Sequence, residues 1–558
     1  MRITDTSDLW WKTAVVYCLD VETFMDWNDD GVGDFEGLAH RMDYLHELGI
    51  TCLWLMPFYP SPGHDDGYDI SDFYGVDPRL GNFGDFVEMI RMAKDRGIRV
   101  IIDLVVNHTS DQHPWFLEAR SSKDNPYRDY YVWRDHPPRT KAEVVFPDVE
   151  DSVWELDPTT GQYYLHYFYK FQPDLNVTNP KVRDEVAKVM GFWLELGVSG
   201  FRVDAVPFLM DPGDVVAPEG ALERPLDFLK SLRAFLGRRS GDAIMLGEAN
   251  LPRPDQVDYF GGKDGDGLTM QFDFITMQSV YLALARQDPR PLQKALKSRP
   301  AVGIESQWAN FVRNHDELTL DKLSDEERQE VFDAFGPEPE MQVYGRGIVR
   351  RLPPMLDGDP RRIRLAYSLL FSLPGTPVLF YGEEIGMGED SRVHDRTAVR
   401  TPMQWTGANN GGFSNAPAAK IVKNVVTGGF GPEHVNASDQ RHDPESLLQF
   451  MRVLIRRYRA SSEMGWGEFA VIRQPAKAVL AHTLVSAEGR MIALHNFSAE
   501  SLTTAFTVPD FTSGDVLVDL LDDDRTEAPD ENGEVTFPLE AYGFRWLRVV
   551  NPHEKRLG

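Results

Sequence analysis

Three stretches of this chain end an apolar run in a charged or imidazole side chain: DLVVNH (103–108), GFRVDAV (200–206) and RNHDE (313–317). That pattern is expected where a buried barrel strand delivers a side chain to its C-terminal rim. With MLGEAN (245–250) they offer three carboxyl groups in chain order, Asp204, Glu248 and Asp316. Carboxyls gathered at such a rim can attack as nucleophiles or move protons. Arg202 precedes Asp204 by two residues, which places both on one strand face. Its guanidinium is expected to keep Asp204 ionised and to lower its pKa, as suits a nucleophile. His108 and His315 stand beside strand ends and join Asp103, Asp204, Glu248 and Asp316 in one candidate set.

A second cluster of oxygen ligands lies in DWNDDGVGD (26–34). Asp26, Asn28, Asp30 and Asp34 alternate along it, Gly31 takes the sixth place, and the Val32 carbonyl takes the seventh. This is the opening of an oxygen-ligand calcium loop. An EF-hand requires a bidentate acid at the twelfth place, which here is Gly37, so the loop departs from that motif.

The elements that must hold these residues follow from periodicity. Over the first 107 residues, strand-like runs (AVVYCLDV, TCLWLMPF, RVIIDLVV) alternate with amphipathic helical ones (FEGLAHRMDYLHELG, DFVEMIRMAKDRG). Strands separated by helices predict βαβ units and a parallel sheet. Residues 108–180 break the rhythm with Pro, Asp, Tyr and Trp, too long a stretch for a loop, and predict a small inserted domain over the rim. The alternation resumes with KVRDEVAKVMGFWLELG as a helix and GFRVDAV, AIMLGEAN, QWANFVRN and TPVLFYG as strands, the last preceded by the helix RRIRLAYSLLFSL. From 465 the runs are short and alternating (FAVIRQ, AVLAHTLVS, RMIALHNFS, TTAFTVP, VLVDLL, EVTFPL, FRWLRVV), as in an antiparallel β-sandwich.

Composition narrows the partners. The chain has 558 residues, enough for a large barrel with one or two smaller units. Its formal charge of −29 argues against nucleic acid and anionic membrane surfaces, both of which repel acidic proteins. Cys18 and Cys52 lie in apolar strand-like runs and read as two buried reduced thiols. The N-terminus MRITDTSDLWWK has no apolar core of signal-peptide length, and no stretch reaches membrane-spanning length, so a soluble cytoplasmic protein is expected.

The five segments DLVVNH, QPDLN (172–176), GFRVDAV, MLGEAN and RNHDE together resemble, in the right order, those of glycoside hydrolase family 13, the α-amylase family. The resemblance implies a (β/α)8 barrel in two parts (1–107 and 181–464), an inserted subdomain after the third strand (108–180) and a C-terminal antiparallel β-sandwich domain (465–558). It implies Asp204 as nucleophile, Glu248 as general acid/base and Asp316 as the third carboxylate, which holds sugar hydroxyls and favours the distorted ring. Retaining enzymes of this kind need the first two about 5–5.5 Å apart. His108, His315 and Arg202 are then substrate ligands, and Asp65 and Tyr68 of DDGYD grip the glucose at the cleaved position, Tyr68 stacking on its ring. Arg400 of VRTPMQW is similar to an arginine that pairs with the Asp65 equivalent and closes the far end of the pocket, with Arg396 a weaker candidate for the same region. The 26–34 loop resembles a calcium loop after the first strand of these enzymes, and a second structural ion is implied at Asn107, Asp174 and Asp211.

Within the family, NDDGVGDFEGL, MPFYPSPGHDDGYDI, NHTSDQHPWF, QPDLNVTNP, FVRNHDELTL, LPGTPVLFYGEEIGMG and VRTPMQW are most similar to the trehalose synthases, which interconvert maltose and trehalose. Ala205 resembles α-1,4-active members. The chain departs from that group after the nucleophile strand, where FLMDPGDVVAPEGALERP lacks the Glu-, Gly-, Thr- and Asn-rich loop that seals the pocket. A looser lid admits water and favours an α-glucosidase or transglucosidase on short α-glucosides. A non-catalytic relative of the transporter heavy-chain kind is disfavoured by the three carboxylates and the missing span. The implied partners are maltose, trehalose and short oligosaccharides; a homo-oligomer and a maltose kinase partner enter by family analogy alone.

Overall fold

Short apolar runs separated by helices close on themselves into a parallel barrel. The computed structural model describes residues 9–138, 144–147, 149–210, 226–522 and 525–551. Its barrel strands are β1 (Val16–Leu19), β2 (Cys52–Leu55), β3 (Arg99–Leu104), β4 (Gly200–Val203), β5 (Ile244–Gly247), β6 (Met270–Phe272), β7 (Gln307–Asn310) and β8 (Thr376–Phe380). Each pairs in parallel with the next, and β8 returns to β1. Seven of the eight match expected strands; β6 was not among them. Only three residues long, it passes within two residues into the helix Phe274–Arg286, so its apolar run merges with the helix's own and loses its period.

The helices begin where the sequence caps them. Phe83–Asp95 carries a capping box between Asn82 and Asp85. Pro180–Glu195 and Pro360–Ser372 each start with proline behind a capping Asn179 or Asp359. The single helix expected over 35–49 is two, Phe35–His40 and Met42–Leu48, broken at Arg41. Cys18 and Cys52 are free and buried on adjacent strands, as expected. Among the described residues no helix is long and apolar enough to cross a membrane.

Between β3 and β4 the chain forms a three-stranded antiparallel sheet with Gln162–Leu165 between Trp133–Arg134 and Trp154–Asp157. Phe116, Tyr130, Tyr131 and Tyr164 make its core, and the bridge of His108 to Asp174 ties it back to the barrel rim. Beyond residue 467 two antiparallel sheets of six and two strands face each other across an apolar core that includes Val479, Ile492, Phe506 and Phe537. All seven expected runs are strands there, joined by an eighth, Thr526–Glu527. This β-unit docks on Pro360–Ser372 through Ser368, whose hydroxyl meets His495 Nε2 at 2.9 Å and accepts from Trp546 Nε1 at 3.0 Å.

Candidate active site

Strand register builds the site. Asp103 on β3 lies directly beside Arg202 on β4. The ladder runs one residue past β4 and β5, since the Glu248 N–H donates to the Val203 carbonyl and the Asp204 N–H to that of Leu104. Asp204 and Glu248 therefore emerge at neighbouring strand ends. One guanidinium serves all three acids: Arg202 Nη1 donates to Asp103 Oδ1 and Asp204 Oδ1, both at 2.5 Å, and Nη2 to Glu248 Oε2 at 2.8 Å. Arg202 is 1% exposed and lies over the Trp54 ring, 5.1 Å from its centroid, and Trp54 Nε1 donates to Asp103. With both terminal nitrogens on carboxylates and no place in the pocket wall, Arg202 positions the acids. Ala205 takes the left-handed φ of +48°, which turns its N–H onto Glu248 Oε2 at 3.1 Å.

The electrostatics correct one expectation. Burial pushes Asp204 up to about 6 despite the opposing pull of Arg202. Desolvation of the charged form exceeds the attraction of a guanidinium that must also serve Asp103 and Glu248. Glu248 is raised too, by burial and then, against the pull of Arg202, by the negative charges of Asp204 and Asp316, as suits a proton donor. Asp316 behaves oppositely. Burial alone would raise it, but His315, Arg396 and Arg400 together hold it well below the usual carboxylate range. Of the three carboxyls singled out from the sequence, Asp204 and Glu248 are thus shifted toward the protonated form and Asp316 is held as an anion.

Asp65, Tyr68, His108, Phe168, Asp204, Ala205, Glu248, His315, Asp316 and Arg396 line one pocket. Tyr68 Oη meets His315 Nε2 at 2.8 Å, and the same nitrogen lies 3.1 Å from Asp316 Oδ2. His108 donates Nε2–H to the Tyr68 carbonyl at 3.1 Å, and burial lowers its pKa to about 4, so it is neutral at pH 7. Arg396 of the pocket wall bonds Asp65 and reaches Asp316 Oδ1 at 3.1 Å; Gln172 of QPDLN holds the other Asp65 oxygen at 2.9 Å. Arg400, the expected partner of Asp65, is buried and pairs with Asp66 and Asp316 instead. Its Nε is fixed by the His315 carbonyl at 2.9 Å, which turns its two terminal nitrogens onto Asp66 and Asp316. Sequence reasoning missed Asp66 and Phe168 and ranked Arg396 below Arg400. Asp66 does belong to the DDGYD segment that drew notice, and Arg396 is four residues from Arg400.

The acidic loop is held by its own side chains. Asp26 accepts from the Asp29 and Gly31 N–H groups, Asn28 from Asp30, Asp30 from Val32, and Asp34 from Trp27, Asn28 and Gly37. Three carboxylates, an amide oxygen and the Val32 carbonyl form a donor set that suits a hard, oxygen-seeking cation. Among the described residues no group of three or more Asp, Glu, His or Cys side chains is arranged to hold a metal ion, so holding one requires these oxygens to draw inward. Of the second ligand set, Asn107 Nδ2 donates to Asp174 Oδ1 at 3.1 Å, whereas Asp211 lies outside the described residues, as do 211–225 of the segment expected to lack the lid motif.

A model of the alpha amylase catalytic domain matches residues 20–332 and 350–467, and one of a sucrose hydrolase-like C-terminal domain matches 489–548. The chain is 42% identical to a trehalose synthase of Thermus thermophilus over 98% of its own length, spanning 56% of that protein. It is 40% identical to a trehalose synthase of Pimelobacter, with 97% and 96% of the two chains covered. The crystal structure of a trehalulose synthase from Pseudomonas mesoacidophila superposes with a TM-score of 0.75 at 28% identity, covering 97% of this chain and 99% of that one. The rim carboxylates, the barrel that presents them and these matches converge: the chain is an enzyme of the α-amylase family, glycoside hydrolase family 13.

Proposed function

We propose that the enzyme interconverts maltose and trehalose through a covalent glucosyl intermediate, with a share of hydrolysis. The observation that carries this reading is a pair of carboxyls on adjacent strand ends, bound to one guanidinium, in a pocket whose wall includes the Asp65–Arg396 ion pair, which on this reading closes it behind one sugar. Asp204 attacks C1 of the terminal glucose while Glu248 gives its proton to the leaving glycosidic oxygen, so that the C1–O bond breaks and free glucose is released. If that glucose turns and offers its anomeric hydroxyl, Glu248 takes the proton, the new oxygen displaces Asp204 from C1, and trehalose forms. If water enters first, the same steps give a second glucose. Asp316, held as an anion, binds sugar hydroxyls as the ring distorts. A calcium ion in the 26–34 loop belongs to this reading as a structural ligand that takes no part in the chemistry; the oxygen-rich donor set supports it.

The second reading is an α-glucosidase or transglucosidase on short α-1,4-glucosides, which uses every one of these residues. Chromatography of a maltose digest separates the two. We expect trehalose together with a substantial share of glucose. Glucose alone would make the enzyme an α-glucosidase, and strong activity on long starch chains with none on maltose would refute the closed pocket.

A further inference from the structure

We propose that Lys423 is a positioning residue for the third carboxylate, acting on Asp316 through Asp66 and Arg400. The links are continuous. Lys423 Nζ donates to Asp66 Oδ1 at 2.5 Å, and the other Asp66 oxygen accepts from Arg400 Nη1 at 2.9 Å. Arg400 then donates through Nη2 to Asp316 Oδ1 at 2.9 Å. Asp66, Arg400 and Lys423 are not among the residues that line the sugar pocket; Arg400 meets that lining at Asp316 through its side chain and at the His315 carbonyl. Arg400 has a side-chain exposure of 0% and Asp66 of 12%, so the chain runs through protein, where charges are weakly screened.

Charge balance explains why a lysine is needed at its outer end. Asp65, Asp66 and Asp316 are ion-paired with Arg396, Arg400 and Lys423, and the buried Asp20 stands close enough to Asp66 and Lys423 to feel both charges, so the outer end of the cluster is rich in acids. Without Lys423 the cluster carries an excess negative charge, and Asp66 competes with Asp316 for the Arg400 fork. Asp66 itself adopts a left-handed φ of +45°, which Asp tolerates better than most residues and which fixes where its carboxylate points. Lys423 is seated from outside the rim: the N–H of its neighbour Val422 donates to the Gly31 carbonyl at 2.9 Å, on the acidic loop after β1. A Cβ on Gly31, whose φ is +102°, would lie 2.1 Å from the Lys420 carbonyl oxygen, so the two segments meet as closely as glycine permits.

The inference rests on the reading of Asp316 as the carboxylate that holds sugar hydroxyls while the ring distorts. Interactions that act mainly in the transition state appear in kcat more than in KM. For Lys423→Met we expect kcat on p-nitrophenyl α-D-glucoside to fall by about tenfold or more with KM changed by less than about threefold. Lys423→Arg should restore most of the loss, and thermal melts of all variants should stay close to wild type. In an Asp66→Asn background, Lys423→Met should add little, because its path is already cut. The aryl glucoside needs no acceptor sugar, so a failure of the trehalose-forming reading shows in the maltose digest and leaves this assay unaffected. The inference is overturned if Lys423→Met keeps kcat within twofold, if arginine fails to rescue, or if the full effect of Lys423→Met persists beside Asp66→Asn.

Discussion

The replacement of Arg396 by methionine tests the proposal that this arginine closes the pocket behind one sugar. Arg396 bonds Asp65 and Asp316, and its guanidinium lies 4.9 Å from the centroid of the Phe146 ring. Methionine keeps most of the side chain's bulk and removes the charge. Breaking a buried ion pair by deleting one partner costs about 3–5 kcal/mol. The Arg396 and Asp65 side chains are 12% and 8% exposed, and Gln172 still serves Asp65, so the lower end, about 3 kcal/mol, applies. Part of that cost falls on the folded state alone and lowers Tm; taken as the upper limit on what binding of the terminal glucose can lose, at 1.36 kcal/mol per decade it allows up to roughly a 150-fold loss in kcat/KM on maltose. Asp316 retains His315 and Arg400, so its anionic state survives and the loss should fall mainly on KM. With the barrier behind the terminal glucose gone, longer malto-oligosaccharides should gain relative to maltose. Steady-state kinetics on maltose and on maltoheptaose measure both effects. A loss below about fivefold with an unchanged preference for maltose would show that Arg396 does not close the pocket.

Asp204→Asn and Glu248→Gln should each abolish turnover in a folded protein, because no neighbour supplies a nucleophile or a proton donor; a fluorinated glucosyl donor should label Asp204 and no other carboxyl, and near-normal rates in either variant would sink the assignment. Since burial raises Asp204 to about 6 and attack requires the carboxylate, kcat/KM should rise with pH through about 6 and be lost below it; a profile flat down to pH 4.5 would contradict the assignment. Chelation after purification in calcium buffer should lower Tm with little change in kcat, because an ion held only by the native loop stabilises it by mass action; elemental analysis that finds no divalent ion would remove it from the reading.

Much of the barrel was legible because buried parallel strands are written as short apolar runs and their rim residues follow directly. Asp204 and Glu248 sit immediately after β4 and β5, so finding the strands also finds the acids. The C-terminal sheets were legible for the same local reason, a period of two interrupted by turns. β6 was not, since three residues running into a helix leave too little period to detect. What the sequence could not decide was pairing. Arg396 and Arg400 are both arginines near one loop, and which of them meets Asp65 depends on where a chain segment more than 300 residues away passes the rim. The fork of Arg400 is set by the His315 carbonyl, a backbone atom that no residue pattern announces. The same holds for the acidity of Asp204. From sequence, an adjacent arginine predicts a lowered pKa; in the fold that arginine is divided among three carboxylates and buried with them, so desolvation prevails. Local order along the chain determined the strands and the acids they carry, and only tertiary packing decided how charge is shared among them.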